Sequence, residues 1–592
     1  MATATIDATK VIQSRVGGAF LIEDQPASEV FTPEDITDEH RAIARAAREF
    51  FDKEVAPNVE AIVHGDRDLA VALLRKAAAL GFEAILTPER YGGMELDLAS
   101  SMVVAEELAR DGSFAGWHGA HAGIGTMPLL LFGTEAQKAK YLPRLSSAEL
   151  VAAYCLSEPH AGYDALAAKT RADLSPDCTH YILNGQKMWI TNGGKADLFT
   201  VFAKVNGEQF SAFLVERAFP GVSSGNEEQK MGIKGSSTTA VFLDNVAVPV
   251  DNLLGEIGRG HIIAFNILNL GRLKLGPFAV GGSKSVLRIS IAYAKQRKAF
   301  GTEIAAFGMI QHKLAEMAIR TFAAESMAYR VEGLIQGHLQ GFSWDEPDAS
   351  RRFMKAIEEF AAECSIIKVY ASEVLDYVVD EGVQIHGGYG YHQDYAVERA
   401  YRDSRINRIF EGTNEINRLL TTGMMLKRAQ QGRLGLVKAA KGLMDEILSD
   451  PSLNASGSEG RRLVGNAKKT GLLLLAAAFE KFGPQMEKQQ EVLAGIADVL
   501  METFAMESSL LRVEKRGAHE GAAFDMCTVL LRDAMTRIEG FARPVLAACA
   551  EGDDLRSKMA VLRRFAKFEP VDSIALRRRI AERLIGAGHY VV

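Results

Sequence analysis

Apolar residues recur at three- and four-residue steps over most of the chain, which is the spacing of amphipathic helices. The pattern runs from Thr37 to about Leu150, with glycine-rich breaks at 92–93 and 116–125, and it returns from residue 261 to about Arg428. It appears a third time from residue 461 to the C-terminus. We therefore predict helical domains at 37–150, 261–430 and 431–592.

The pattern changes between residues 151 and 260. Runs of β-branched and aromatic residues at 181–186, 198–203, 210–215 and 240–249 are separated by turn residues, with no helical spacers. These runs predict an antiparallel sheet domain. With residues 1–36 as an N-terminal extension, the expected fold is α+β and multidomain: an N-terminal helical domain, a middle antiparallel β domain, a C-terminal helical bundle and an additional C-terminal helical domain.

The additional helical domain follows a connector, 449–460, that is rich in Gly, Ser and Pro and is expected to be a mobile loop. This connector predicts that the tail packs separately from the domains that precede it. Basic pairs and triplets in the tail, at 563–564 and 577–579, are typical of solvated helix faces, and membrane contact is the alternative interpretation.

Composition narrows the class of protein. Of 592 residues, 47% are hydrophobic and 24% charged, as in soluble globular proteins, and the net charge of −7 gives no electrostatic footprint for nucleic acid. Five cysteines without CxxC spacing indicate neither a metal site nor a disulfide framework. The N-terminus lacks the features of a secretory signal or a mitochondrial presequence. We expect a cytoplasmic, bacterial protein with at most peripheral contact at the inner membrane.

Candidate chemistry concentrates around Glu411, which lies on a Glu-Gly-Thr turn after four arginines at 399, 402, 405 and 408. A carboxyl held beside apolar Ile409 and Phe410 acts as a base near neutral pH, because desolvation raises its pKa. A simple helix start with Thr413 as N-cap is the alternative. The chain has no GxGxxG fingerprint after a strand, so a Rossmann site is not supported.

The turn is the last of five motifs in a fixed order. They are Tyr-Cys-Leu-Ser-Glu-Pro-His-Ala-Gly-Tyr-Asp at 154–164, Lys-Met-Trp-Ile-Thr-Asn-Gly-Gly at 187–194, Arg-Lys-Ala-Phe-Gly at 297–301, Gln-Ile-His-Gly-Gly-Tyr-Gly-Tyr at 384–391 and the arginine-rich segment at 399–415. Together with Gly-Gly-Ala-Phe-Leu-Ile at 17–22, they closely resemble the flavin-dependent acyl-CoA dehydrogenase family. The nearest match is the very-long-chain branch, which carries an extra C-terminal helical region.

The resemblance implies a noncovalent FAD, an acyl-CoA substrate, an electron-transferring flavoprotein as partner and a homodimer. It implies Glu411 as the catalytic base. It assigns to the cofactor Tyr154, Leu156, Ser157, Trp189, Ile190, Thr191, Arg297, Phe300, Gln384, Gly387, Gly388, Thr413 and Glu415, and to the substrate Tyr163, Asn269, Arg272, Phe410 and Gly412. In some branches the base lies on an earlier helix, but residues 268–272 here contain no carboxylate.

Several features leave the function open in detail. Tyr163 replaces a serine that is usual in the family motif, and Ala299 replaces a threonine, so cofactor or CoA contacts are expected to differ. Glycines at 114–121 favour a deep acyl pocket, whereas Phe114 and Trp117 in the same stretch would block one. An acyl-CoA oxidase that uses oxygen and an assembly scaffold are the alternative functions.

Overall fold

A computed structural model describes residues 15–449 and 458–592. Residues 1–14 of the expected N-terminal extension and 450–457 of the expected connector lie outside the described residues. Within the described part, the α-helices, numbered α1 to α19 in chain order, span Asp38–Phe50, Val59–Val63, Arg67–Ala79, Leu98–Leu108, Gly112–His118, Met127–Phe132, Glu135–Ser146, Gly260–Gln296, Gly308–His338, Ala349–Glu359, Ala361–His386, Ala396–Ser404, Asn414–Gln430, Leu436–Ser449, Glu459–Phe482, Gln490–Lys515, Ala522–Cys549, Gly552–Phe565 and Ser573–Ala587.

Helix boundaries follow local capping chemistry. Thr37, Asp97 and Thr134 each accept a backbone N–H of the first helical turn, which satisfies a donor that the helix itself leaves free. Two π-helical segments, Phe51–Val55 and Gly119–Gly125, interrupt the N-terminal helices. The second of them continues α5 and forms part of the cavity described below.

The strands β1 to β8 form one sheet and span Ala152–Cys155, Arg171–Leu174, His180–Thr191, Leu198–Val205, Gln209–Glu216, Val222–Ser224, Thr238–Pro249 and Leu253–Leu254. A two-stranded hairpin, β9 at Lys298–Ala299 and β10 at Thr302–Glu303, follows α8. The order in the large sheet is β6-β7-β3-β2-β4-β5-β8, with β1 added beside β4. The four predicted runs of β-type residues all lie within β3, β4, β5 and β7.

The sheet is largely antiparallel, as the sequence predicts, but β4 has two parallel neighbours, β1 and β2. Ala152 of β1 pairs with Leu198, and Arg171 of β2 pairs with Lys204. Neither strand reaches β4 through a tight hairpin, since long connections separate them in the chain. Local hydrophobic patterns carry no information about such pairings, which explains the difference.

The catalytic helices pack as a bundle in which α8 and α11 lie against each other and α9 crosses both. One hydrophobic core extends from Phe20 through these helices to Leu584 near the C-terminus. A second core joins the N-terminal helices to the sheet. The site described below lies where α8, α5 and the sheet meet.

The prediction of a separately packed tail is wrong for the described residues. Arg330 of α9 donates to Glu507 of α16 at 2.7 Å, and both side chains are almost completely buried. Arg577 of α19 likewise pairs with Glu316 of α9 at 2.7 Å. Ion pairs between distant segments leave no signature in the local composition, from which the tail's independence was inferred.

Part of the basic patch in the tail is neutralised. Arg577 also pairs with Asp533, and Arg579 donates to Asp525 at 2.7 Å. Within residues 15–449 and 458–592, none of the helices combines the length and the apolar character required to cross a bilayer.

Candidate active site

Glu411 lies on a tight turn between α12 and α13. Its backbone adopts φ 57°, a left-handed conformation that is rare outside glycine, and Gly412 follows at φ 83°. Thr413 then caps α13 by accepting the backbone N–H of Ile416 at 3.4 Å. The segment is therefore both a helix start and the turn that carries the candidate base. The Thr413 cap directly follows the turn and fixes where α13 begins.

Three side chains hold the carbonyl groups of this turn. Arg272 of α8 donates through Nε to the Glu411 carbonyl at 3.1 Å, and through Nη1 to Asn269 at 2.9 Å. Lys368 of α11 donates to the Gly412 carbonyl at 2.7 Å. Asn417 donates to the same carbonyl at 2.8 Å. The backbone of the turn is thus fixed from two helices of the bundle and from its own helix.

The Glu411 carboxylate packs against α8 at Gly271. A Cβ atom added at Gly271 would lie 2.7 Å from Oε2 and 3.1 Å from Oε1, so only glycine leaves room for the carboxylate. Oε2 is buried and has no hydrogen-bond partner among the described residues. An unpaired carboxylate oxygen is free to take a proton from a bound molecule.

Burial raises the pKa of Glu411 to about 7, although the positive charges of Arg272 and Lys368 act in the opposite direction. Burial also lowers the pKa of Lys368 to about 7. A carboxyl that titrates near neutrality is matched to general-base catalysis at physiological pH. The hypothesis that desolvation prepares Glu411 for this task therefore agrees with its surroundings.

The carboxylate faces a cavity of about 210 Å³. Small residues of α5 and of the π-helical segment after it form one wall, and apolar residues of α8 form the facing wall. The small residues are Gly112, Ala115, Gly116, Gly119, Ala120 and Gly123. Phe114 and Trp117 do not line the cavity, because both are fully buried on the far side, where the Trp117 indole donates to the Gly235 carbonyl at 3.0 Å. Of the two alternatives left open by the sequence, the positions of these side chains favour a pocket that Phe114 and Trp117 do not block.

Thr191 and Phe410 bring the sheet and the catalytic turn to the same cavity. Thr191 ends β3, where the pairing with β7 is irregular between Lys187 and Ile190. Trp189 lies in this irregularity with φ 60°, and 57% of its surface is exposed, whereas Ile190 points into the core. An exposed indole beside a cavity is a surface on which a flat aromatic ring system can stack.

The loop after β1 is shaped by a buried ion pair that sequence reasoning missed. Lys187 donates to Glu158 at 2.7 Å with almost no exposure of either side chain. Glu158 also accepts the backbone N–H groups of Lys169 and Thr170. The pair positions half-buried Ser157, whose carbonyl accepts the Met188 N–H at 3.0 Å. The sequence signal for this ion pair was a lysine, Lys187, at a position of β3 that faces the core.

The remaining residues assigned to the first loop differ in exposure. Tyr154 and Leu156 are buried, and the Tyr154 hydroxyl lies 3.5 Å from the Ala264 carbonyl, a weak hydrogen bond. Burial, together with the charge of Glu411, raises the Tyr154 pKa well above its usual value. Tyr163, by contrast, is 77% exposed and does not line the cavity.

A second group of predicted residues lies around the β9–β10 hairpin and the end of α11. Arg297 stacks over the Tyr389 ring at 5.5 Å and forms no ion pair within the part of the chain that the structure describes. Phe300 is almost fully exposed, and Gln384, Gly387 and Gly388 are exposed as well. A free guanidinium beside exposed aromatic rings and glycines fits a phosphate and an adenine.

The predicted residues therefore form two groups that lie apart within one chain. Residues of the first loop, β3 and the catalytic turn surround the cavity, whereas Arg297, Phe300 and the 384–388 segment form a separate exposed face. Glu415, in the first turn of α13, is exposed next to the capping Thr413. The exposed Trp189 fits the ring system of a flavin, and the unpaired Arg297 fits the phosphates of a flavin nucleotide.

Known proteins match this chain over nearly its whole length. Residues 37–149, 153–246 and 258–426 match the N-terminal, middle and C-terminal domains of acyl-CoA dehydrogenase, and residues 466–564 match a further acyl-CoA dehydrogenase C-terminal domain. A probable acyl-CoA dehydrogenase of Bacillus subtilis is 47% identical over 99% of this chain and all of the relative. Human mitochondrial very long-chain specific acyl-CoA dehydrogenase is 37% identical over 74% of this chain and 68% of the relative.

The crystal structure of an acyl-CoA dehydrogenase complexed with FAD from Bacillus anthracis superposes with a TM-score of 0.95 at 47% identity. The match covers 98% of this chain and all of the crystallised one. The protein belongs to the acyl-CoA dehydrogenase family, and its cofactor is FAD.

Proposed function

We propose that the protein oxidises long- or very-long-chain acyl-CoA thioesters to trans-2-enoyl-CoA in fatty-acid β-oxidation. The observation that carries the proposal is the Glu411 carboxylate, whose unpaired Oε2 faces an apolar cavity beside Gly271. The family supplies the cofactor, and the cavity supplies room for an acyl chain.

Glu411 removes a proton from the α-carbon of the bound thioester through Oε2. The FAD supplies the acceptor for the hydride that leaves the β-carbon. Burial keeps the carboxylate poorly solvated, so it accepts a proton readily once substrate has displaced water. The hydrogen bonds from Arg272, Lys368 and Asn417 hold the turn, which fixes the distance between the carboxylate and the α-carbon.

The predicted cofactor and substrate residues take the following roles in this proposal. Ser157, Trp189 and Thr191 hold the flavin ring beside the cavity, and the exposed face around Arg297 and Phe300 binds the ADP part of a flavin in the partner subunit. This division requires a homodimer, because the two groups of residues are separate in one chain. Asn269 acts on the substrate side indirectly, through its bond to Arg272.

The preference for long chains rests on the length of the cavity. Its lining on α8 begins at Ile267, and the part from Gly271, where the carboxylate packs, extends to Ile289. Eighteen residues of α-helix span roughly 27 Å, which is enough for a long acyl chain in an extended conformation. The glycines and alanines on the facing wall keep this path open.

Chain-length selection has a direct test. Anaerobic flavin bleaching is measured with saturated acyl-CoA thioesters of increasing length, for the wild type and for Gly282→Leu. Gly282 lines the cavity about 16 Å along α8 from Gly271. The variant is expected to retain bleaching by short chains and to lose it for long ones. Equal loss at all lengths in a normally folded variant, or a wild type that prefers short chains, would overturn the long-chain assignment.

The electron acceptor is tested in the same preparation. We propose that an electron-transferring flavoprotein reoxidises the reduced enzyme, and the expected result is fast reduction of that flavoprotein with little hydrogen peroxide in air. Stoichiometric peroxide in air would instead assign the protein as an acyl-CoA oxidase. Sedimentation of the FAD-loaded protein, with and without anionic liposomes, tests the proposed homodimer and the peripheral membrane contact.

A further inference from the structure

One cation in the acyl cavity has no role in the reaction described above. Lys274 lies on α8 one turn beyond Gly271 and lines the cavity, although only 8% of its surface is exposed. Among the described residues, its ammonium group forms neither a hydrogen bond nor an ion pair, and the charge that acts on it is that of Glu83. A buried lysine without a partner is costly, so its presence in a largely apolar wall indicates a ligand.

Glu83 favours the charged form of Lys274, but no described residue forms a hydrogen bond or an ion pair with the ammonium group. Glu83 is fully buried behind the cavity wall, where its Oε1 lies 2.9 Å from Nδ1 of His118. Its Oε2 has no partner in the part of the chain that the structure describes. Burial lowers the Lys274 pKa to about 8, and Glu83 opposes this decrease. The lysine is thus an available hydrogen-bond donor, and the Glu83 charge favours its protonated form without a direct contact.

Lys274 is also separate from the catalytic base. The charges that act on Glu411 are those of Arg272 and Lys368, and Lys274 is not among them. Helix geometry places the Lys274 backbone about 4.5 Å beyond Gly271 along the direction in which the acyl chain extends. A group that Lys274 contacts therefore belongs to the acyl chain beyond the reacting carbons.

The charge balance selects the class of ligand. The Glu83 carboxyl group already acts on the Lys274 charge from behind the cavity wall, so a carboxylate on the acyl chain would bring a further negative charge to one ammonium group. A neutral oxygen that accepts a hydrogen bond satisfies the ammonium group without this cost. A hydroxyl group in the middle of the chain fits best among such oxygens, because the cavity continues beyond Lys274 to Phe278 and Gly282.

We propose that Lys274 forms a polar subsite that binds a hydroxyl group on the acyl chain, so that the cavity accepts long-chain hydroxyacyl-CoA thioesters oxygenated several carbons from the thioester. The proposal rests on the proposed function, since it places an acyl chain in this cavity. It makes Lys274 a specificity-determining residue rather than part of the proton or hydride transfer.

The test compares matched substrates in the FAD-loaded protein. An unsubstituted long-chain acyl-CoA is compared with a positional series of its hydroxy derivatives, with the hydroxyl about four to eight carbons from the thioester, as the 4.5 Å helix step suggests. The readouts are kcat/KM for flavin reduction and, independently of turnover, the dissociation constant of each thioester. The wild type is expected to favour one position of the hydroxyl over its neighbours.

The Lys274→Met variant is expected to lower kcat/KM for the preferred hydroxyacyl substrate by about 10- to 100-fold, the usual effect of losing a hydrogen bond to a charged group. For the unsubstituted chain, the rate is expected to stay the same or to rise. Lys438→Met is the control, because it makes the same substitution at an exposed position of α14 that does not line the cavity.

Two results would overturn the subsite. One is a wild type that shows no positional preference, which needs no variant to fold. The other is a Lys274→Met variant that changes both substrates in parallel. If no thioester reduces the flavin at all, the proposed function fails as a whole, and the dissociation constants still decide whether the hydroxyl binds at Lys274.

Discussion

Replacing Gly271 by alanine separates catalysis from stability at one position. The added methyl group would lie 2.7 Å from Oε2, 2.8 Å from Cδ and 3.1 Å from Oε1 of Glu411, and ordinary contacts begin near 3.4 Å. The carboxylate must therefore retreat by about 0.7 Å, and a displacement approaching 1 Å in a reacting group costs on the order of 10²-fold in rate. We expect Gly271→Ala to reduce the rate of flavin reduction by about 10- to 100-fold.

The same substitution is expected to favour the folded helix rather than to destabilise it. Gly271 lies inside the long helix α8, where alanine is favoured over glycine by roughly 0.5–1 kcal/mol because it restricts the unfolded chain. The clash involves the end of one side chain rather than backbone. The unfolding free energy is therefore expected to stay within about 1 kcal/mol of the wild type.

The assay is anaerobic stopped-flow bleaching of the flavin by a long-chain acyl-CoA, with thermal unfolding measured in parallel. Gly465→Ala is the matched control, since Gly465 lies inside α15, has open space around its Cα and is remote from the cavity. The control should gain similar helix stability and retain the full rate. A Gly271→Ala protein that bleaches at the wild-type rate would refute the position assigned to the carboxylate.

Two further predictions follow from the charges. The rate of flavin reduction should rise with pH and level off above about 7, because Glu411 must be ionised to accept a proton and its pKa is raised to about 7. In Arg272→Gln the profile should move to higher pH, since Arg272 lowers that pKa; an unmoved profile in a folded variant would contradict the electrostatic argument. Glu507→Leu should lower the unfolding free energy by about 3–5 kcal/mol, because it removes the carboxylate shared by buried Arg330 and Lys468, whereas Asp553→Ala, in the exposed ion pair with Arg556, should change it by less than about 1 kcal/mol. Equal, small effects in denaturant titrations of the two variants would show that the tail does not depend on its buried pair.

Local patterns predicted the type of element in each region, because the helices repeat apolar residues at three- and four-residue steps, whereas β4 and β5 are short, almost continuously buried runs. The β-type runs within β3 and β7 alternate between the core and the surface, and the helices on either side carry apolar stripes. The parallel neighbours of β4 and the attachment of the tail were not predictable in this way. Both depend on contacts between residues far apart in the chain, such as Arg330 with Glu507.

The candidate site was predictable to the extent that motifs carry it. Glu411 and Thr413 stood out from their turn, and the absence of a carboxylate at 268–272 now has a physical reason, because Gly271 leaves space for Glu411. Lys368 was missed, since a lysine on a long helix has no local sign of pointing inward to the Gly412 carbonyl. The orientation of Phe114 and Trp117 was left open for the same reason, because their side chains turn away from the cavity only through packing with residues such as Gly235.

Replacement of the catalytic base provides the most direct measurement. Glu411→Gln is nearly isosteric, keeps the backbone bonds of the turn and removes only the ability to accept a proton. The variant should retain FAD after gel filtration, while anaerobic bleaching by a long-chain acyl-CoA falls by about 10²- to 10⁴-fold. A yellow, folded Glu411→Gln protein that bleaches as fast as the wild type would contradict Glu411 as the base.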